Sequence, residues 1–219
     1  MRFLCLHGMG TNSQIFRSQT ERIRDLLGPE HENVFVNGFV PSEPLPGFRL
    51  QSDAPCWSYW TEDVNKWDVV SQGLQTLVEF IRAKGPFGGV IGFSQGASTA
   101  AAIILNQNFL LGDAGLFKCA IFFCGSVPPD IVEAERGRLQ WLNPDEDGVV
   151  LQLPTAHIWS DPDDMFPGQG PRLSRLCDER LKEQVIHNLG HDVPGASSDE
   201  FLREALTDIR RTLDRAQDL

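Results

Sequence analysis

Short apolar runs alternate with longer stretches in which apolar residues recur every three or four positions. This alternation predicts a mostly parallel central sheet with helices on both faces, an α/β class. Arg2–Leu6 reads as the first buried strand. Ser13–Leu27 carries Ile15, Phe16, Ile23, Leu26 and Leu27 on an otherwise polar helix that Gly28-Pro29 ends. Asn33–Val36 reads as a second strand, and Val69–Ala83 as a helix stopped by Gly85-Pro86. Gly88–Phe93 is then a central strand, followed by a helix rich in small residues over Ala97–Leu105. Lys118–Cys124, Thr155–Ser160 and Gln184–His187 read as further strands. Asp199–Leu213 closes the pattern as an amphipathic helix through Phe201, Leu202, Leu206, Ile209 and Leu213.

The pattern fails in two places. Val40–Trp60 holds four of the fourteen prolines and two of the five tryptophans, too many breakers for a strand or helix. A long connection of that kind is expected to be a cover or binding loop. Val127–Leu153 is irregular as well, so cover segments are expected at about 40–68 and 127–153. No internal repeat or linker divides the chain, and 219 residues suit one domain over 1–219.

Composition narrows the functions. The formal net charge of −11 speaks against nucleic acid or an anionic membrane surface as partner, since both need a basic footprint. An acidic carrier protein would have to dock on a local basic patch. The five cysteines (Cys5, Cys56, Cys119, Cys124, Cys177) are odd in number and lack CxxC spacing. They imply a reducing, cytoplasmic setting with no disulfide framework and no zinc site. MRFLCLHG is too short an apolar run for a signal peptide or a membrane span.

The chemistry centres on Gly92-Phe93-Ser94-Gln95-Gly96. GxSxG alone is a weak pattern, equally a glycine-rich turn with an exposed serine. It gains meaning where a buried strand feeds it and a helix leaves it, because the nucleophile elbow is a strand-to-helix turn. Both conditions hold at Ser94, which would sit at a helix N-terminus with the Gln95 N–H beside it.

A serine needs a base and an orienting acid. Asp161-Pro162-Asp163-Asp164 follows one strand and His191 follows another, giving the order Ser…Asp…His of an α/β-hydrolase fold. Asp163 is preferred as the acid and Asp161 comes second; spacing does not separate them. His187 is a rival base at a strand end, His157 lies within a strand, and His31 sits among acids in a turn. The oxyanion needs a second backbone donor, for which Met9 N–H in Leu6–Phe16 is the candidate. His7, Gly8, Trp57, Tyr59 and Trp60 are candidate pocket residues, with Phe48 and Trp141 as further aromatics.

LHGMGTNSQIFRSQT, GVIGFSQGAS and LGHDVP resemble the fungal "family of serine hydrolases" group of α/β-hydrolases. That group includes esterases similar to the ovarian-tumour-suppressor candidate and the lovastatin-cluster type of thioesterase. The resemblance runs from Arg2 to the last helix. It implies Ser94 as nucleophile, Asp163 as acid, His191 as base, and an oxyanion hole from the His7-Gly8 loop with Gln95. The sequence departs from the group at Ser160-Asp161-Pro162-Asp163, where relatives often carry Gly-x-x-Asp.

The expected activity is hydrolysis of a small-molecule ester or thioester, without metal or organic cofactor. Release of a polyketide or other acyl chain from an acyl carrier domain in secondary metabolism is one setting the resemblance implies. A general short- or medium-chain carboxylesterase, a C–C hydrolase and a cyclising acyltransferase would use the same residues. A ligand-binding module would not need all three.

Overall fold

The computed structural model describes residues 1–45, 54–61, 63, 67–112, 117–131, 133, 136, 138, 140–195 and 198–218. Phe48 and parts of both expected cover segments lie outside these residues.

A parallel six-stranded sheet forms the centre, in the order β2-β1-β5-β6-β7-β8. Its strands are β1 (Arg2–Leu6), β2 (Glu32–Val36), β5 (Gly89–Phe93), β6 (Cys119–Phe123), β7 (Thr155–Ser160) and β8 (Lys182–His187). β1, β5 and β6 are almost wholly buried, as strands covered on both faces must be.

Successive side chains point to opposite faces, and the core divides accordingly. Leu4, Leu6, Val90, Ala120 and Phe122 pack with α3 (Trp67–Lys84) and α4 (Gln95–Leu105) on one side. Phe3, Cys5, Ile91, Phe93, Ile121 and Phe123 pack with the other layer. That layer is built by α1 (Ser13–Gln19), α2 (Glu21–Leu27) and the last helix, α8 (Asp199–Gln217). Leu202, Leu206, Ile209 and Leu213 of α8 form its buried stripe, and the Ser198 side chain caps its N-terminus by accepting from Phe201 N.

The structure differs from the sequence pattern in three places. Ser13–Leu27 is two helices, because the Thr20 hydroxyl donates back to the Phe16 carbonyl at 2.8 Å and the turn there leaves helical geometry. The proline-rich stretch contains a two-stranded antiparallel sheet, β3 (Val40–Ser42) with β4 (Cys56–Ser58). Three short helices complete the described elements: α5 (Gln107–Leu111), α6 (Pro144–Asp147) and α7 (Gln169–Arg175).

The small sheet bears on the site. Trp57 N donates to Thr11 O at 2.8 Å, Gly10 N to Trp57 O at 3.1 Å and Leu45 N to Gly10 O at 3.3 Å. The start of the first cover is thus fastened to the loop that follows β1. Among the described residues, no helix is long and apolar enough to cross a membrane.

Candidate active site

Ser94 stands between the end of β5 and the start of α4, with φ 52° and ψ −118°. A non-glycine residue in that region is strained and persists only where its surroundings enforce it. Here Ser94 N donates to Phe123 O at 2.8 Å, and Ser94 O accepts from Ala97 N and Ser98 N at 3.0 and 3.2 Å. Two glycines make the turn possible by close approach. A Cβ on Gly92 would lie 2.5 Å from Ala97 Cα, and one on Gly96 would lie 2.2 Å from Leu6 O.

The loop after β7 brings Asp163 to His191, which lies in the loop after β8. Asp163 Oδ2 is 2.6 Å from His191 Nδ1, and both side chains are almost fully enclosed. Asp163 Oδ1 accepts from Met165 N and Phe166 N at 3.1 and 3.0 Å, which fixes the carboxylate. The rings of Phe93 and Phe166 lie 5.2 and 4.8 Å from that of His191. An ionised carboxylate only accepts, so Nδ1 carries a proton, and in the neutral ring Nε2 is then the acceptor. Nε2 is buried and has no hydrogen-bond partner among the described residues. The side chain of Asp161 is exposed, while its backbone N–H donates to His187 O at 2.8 Å.

The other histidines serve the fold. His7 Nε2 accepts from Gly38 N at 2.9 Å, so its Nδ1 carries the hydrogen and donates to Gly8 O at 2.7 Å. Burial lowers the His7 pKa to about 4 and keeps the ring neutral. His7 therefore braces the loop from beneath and has no nitrogen left for a ligand, unlike the pocket position expected from sequence. His157 and His187 are lowered to about 3 and about 4 by the same desolvation.

Gly8 faces the nucleophile, since a Cβ there would lie 3.4 Å from Ser94 Cβ and 2.8 Å from Phe93 Cδ1. Met9 follows on the same loop. Among the described residues, neither Met9 N–H nor Gln95 N–H donates to a protein acceptor.

The Gln95 side chain was not legible as a structural tie. Its Oε1 accepts from Tyr59 N at 2.7 Å and its Nε2 donates to Trp60 O at 3.0 Å. Tyr59 Oη in turn accepts from His7 N at 3.2 Å and donates to Val36 O at 2.9 Å. Tyr59 and Trp60 line a cavity of about 490 Å³, with Trp60 also 4.6 Å from Trp141 between ring centroids. Trp57 lies in β4 and does not line this cavity.

Cys124 is a neighbour that the sequence pattern gave no reason to place here. It follows β6 with φ 43°, and its Sγ lies within 4.8 Å of the ligand atoms of Asp163 and His191. These three are the described residues that could approach a metal ion together. Burial, followed by the Asp163 charge, pushes the Cys124 thiol up to about 12. Its Sγ donates to Asp192 O at 3.4 Å. A protonated thiol is a poor ligand, and an ion would have to break the Asp163–His191 bond.

The chain is similar to known esterases. The chain is 35 % identical over 201 residues to Esterase FPY3 of Fusarium mangiferae, covering 89 % of this chain and 88 % of that one. It is 31 % identical to Esterase OVCA2 of Danio rerio, covering 90 % and 92 %. Among solved structures, esterase PE8 superposes with a TM-score of 0.59 at 20 % identity, covering 96 % of this chain and 92 % of that one. Zea mays acyl-protein thioesterase 2 gives 0.55 at 19 %, covering 97 % and 93 %. At such identities these two show the fold, that of the α/β-hydrolases. Residues 1–201 match the family described as Serine hydrolase (FSH1), and the chain, an esterase, belongs to that family.

Proposed function

We propose that Ser94, His191 and Asp163 act together as nucleophile, base and orienting acid in hydrolysing an ester or thioester through an acyl-enzyme. The observation that carries this reading is the 2.6 Å bond from His191 Nδ1 to Asp163, which in the neutral ring makes Nε2 the accepting nitrogen, one with no hydrogen-bond partner among the described residues. Ser94 Oγ attacks the acyl carbon while Nε2 takes its proton, and the positive imidazolium is stabilised by Asp163. Gln95 N–H and Met9 N–H receive the oxyanion; loss of one such donor typically costs about 10²–10³ in rate.

Collapse of the tetrahedral species breaks the bond to the leaving oxygen or sulfur, which receives the proton from Nε2. Water then attacks the acyl carbon, giving its proton to Nε2. The second collapse breaks the bond to Ser94 Oγ and returns that proton to it, releasing the acid. The same steps serve an alcohol or a carrier-bound thiol, so release of a polyketide or other acyl chain from a carrier domain falls within this reading. One domain over 1–219 and a cytoplasmic site of action complete it.

A fluorophosphonate probe tests the assignment directly. Mass spectrometry should find the adduct on the peptide containing Ser94 in the wild type and none in Ser94→Ala. A folded wild type that takes up no probe would refute it.

A further inference from the structure

The cavity beside Trp60 is a groove between α3 and α4, and its construction is directional. Val70, Leu74 and Val78 recur at i, i+4 and i+8 on α3 and form one apolar wall, which Ala102 of α4 faces. Ser71 and Gln75 form a second, polar row on the same helix, and Arg82 lies two turns beyond Gln75. Gly73 lets α3 close against Phe39, another lining residue; a Cβ there would overlap the Phe39 ring at 1.7 Å. Phe109, 80 % exposed, stands at the side of the groove with its ring in solvent.

Ser94 does not itself line the groove, but three lining residues reach the turn that carries it. Tyr59, Trp60 and Thr99 all line the groove, and all bond directly to Gln95, the residue after Ser94. From Val70 to Arg82 the wall runs about 18 Å at the rise of an α-helix. A volume of about 490 Å³ lies within the range of small-molecule sites. Arg82 is exposed and has no ion-pair partner among the described residues. Glu79, three residues earlier, accepts from Gln75 Nε2 at 3.2 Å instead. In a chain of net charge −11, an unpaired guanidinium at the end of an apolar groove is a specific attraction for an anion.

We propose that this groove holds the acyl chain of the substrate, and that Arg82 selects chains ending in a carboxylate, so that the preferred substrates are half-esters or half-thioesters of medium-chain diacids. This rests on the reading of Ser94 as the nucleophile. The apolar walls take the methylenes, while Ser71 and Gln75 leave room for oxygen substituents along one edge.

The test compares p-nitrophenyl esters of butanoate, decanoate and decanedioate (free acid at the far end) on wild type, Arg82→Gln and Ser71→Trp. Both replaced side chains are exposed, so the core is untouched. The wild type should prefer decanedioate to decanoate by roughly tenfold in kcat/KM, less so at high salt. Arg82→Gln should bring that ratio near unity. Ser71→Trp, which narrows the groove, should lower the decanoate-to-butanoate ratio by about tenfold, in keeping with the loss of a fitted apolar contact.

Hydrolysis with both ratios unmoved by the variants would overturn the groove assignment and leave the serine chemistry standing. Calorimetric titration with decanedioate separates the two readings from the other side. Binding that Arg82→Gln abolishes, in a protein that cleaves none of the esters, would support the groove and refute the hydrolase mechanism. No binding by the wild type would count against the groove.

Discussion

Tyr59 N–H donates to Gln95 Oε1 at 2.7 Å, while the hydroxyl of the same tyrosine accepts from His7 N at 3.2 Å. One buried residue, through its backbone N–H and its hydroxyl, thus ties the turn carrying Ser94 to the loop carrying Met9. The two proposed oxyanion donors come from segments more than eighty residues apart in sequence. Their spacing depends on such a brace, because a donor misplaced by about 1 Å loses most of its effect.

Tyr59→Phe should therefore reduce kcat more than it changes KM. It removes the bond to His7 N, which is buried, and the bond to Val36 O, which is partly so, costing about 1–3 kcal/mol of stability. Steady-state kinetics with a denaturant titration checks both effects. An unchanged kcat would show that the donors are held without it.

The acid assignment predicts an asymmetry between neighbouring aspartates. Asp163→Asn should lower kcat by about 10⁴, because the amide no longer holds the His191 tautomer. Asp161→Asn, with its side chain exposed, should stay close to wild type. Equal losses in the two variants would contradict the geometry.

The thiols should be silent in the folded enzyme. Cys119, Cys124 and Cys177 are each pushed up to about 12 by burial, and Cys5 higher still. Iodoacetamide at pH 8 should leave activity intact and label these cysteines only after unfolding. Rapid inactivation with alkylation of Cys124 would show that the site opens around Asp163.

Acid should destabilise the fold through its buried histidines. His7, His157 and His187 have folded pKa values of about 4, about 3 and about 4, below the ordinary 6.5. Their contribution to stability is complete above pH 6.5. As pH falls, the unfolded chain takes up protons that the folded chain refuses, and stability declines until the folded pKa values are passed. Each fully refused proton adds a slope of up to about 1.4 kcal/mol per pH unit. The melting temperature should therefore drop between pH 6.5 and 4, and the ring NMR signals of these three histidines should not titrate above pH 5. Ring signals that titrate near 6.5 would contradict the burial.

The sequence was most legible where period and chemistry agree. Gly89–Phe93 into Gln95–Leu105 is an uninterrupted apolar strand entering a helix of small residues, and the elbow at Ser94 followed from that pattern. Asp163 and His191 each follow a strand, so chain order alone brought them under suspicion. Long-range geometry was not legible. Whether Asp161 or Asp163 meets His191 depends on the path of a loop, and the loop is set by backbone bonds from Met165 and Phe166 to Asp163. The β3–β4 pair was hidden because Pro41 and Pro55 mask a short edge sheet. Cys124 reads from sequence as one more apolar strand residue, although its positive φ turns the chain beside the acid and base.

Hydrolysis of p-nitrophenyl butanoate by wild type and Ser94→Ala, measured side by side on folded protein, tests the central claim most directly. Loss of the nucleophile should lower kcat by about 10⁴ or more while the melting curve stays cooperative. Equal rates in the two proteins would mean that Ser94 only shapes a turn, and the mechanism built on it would be wrong.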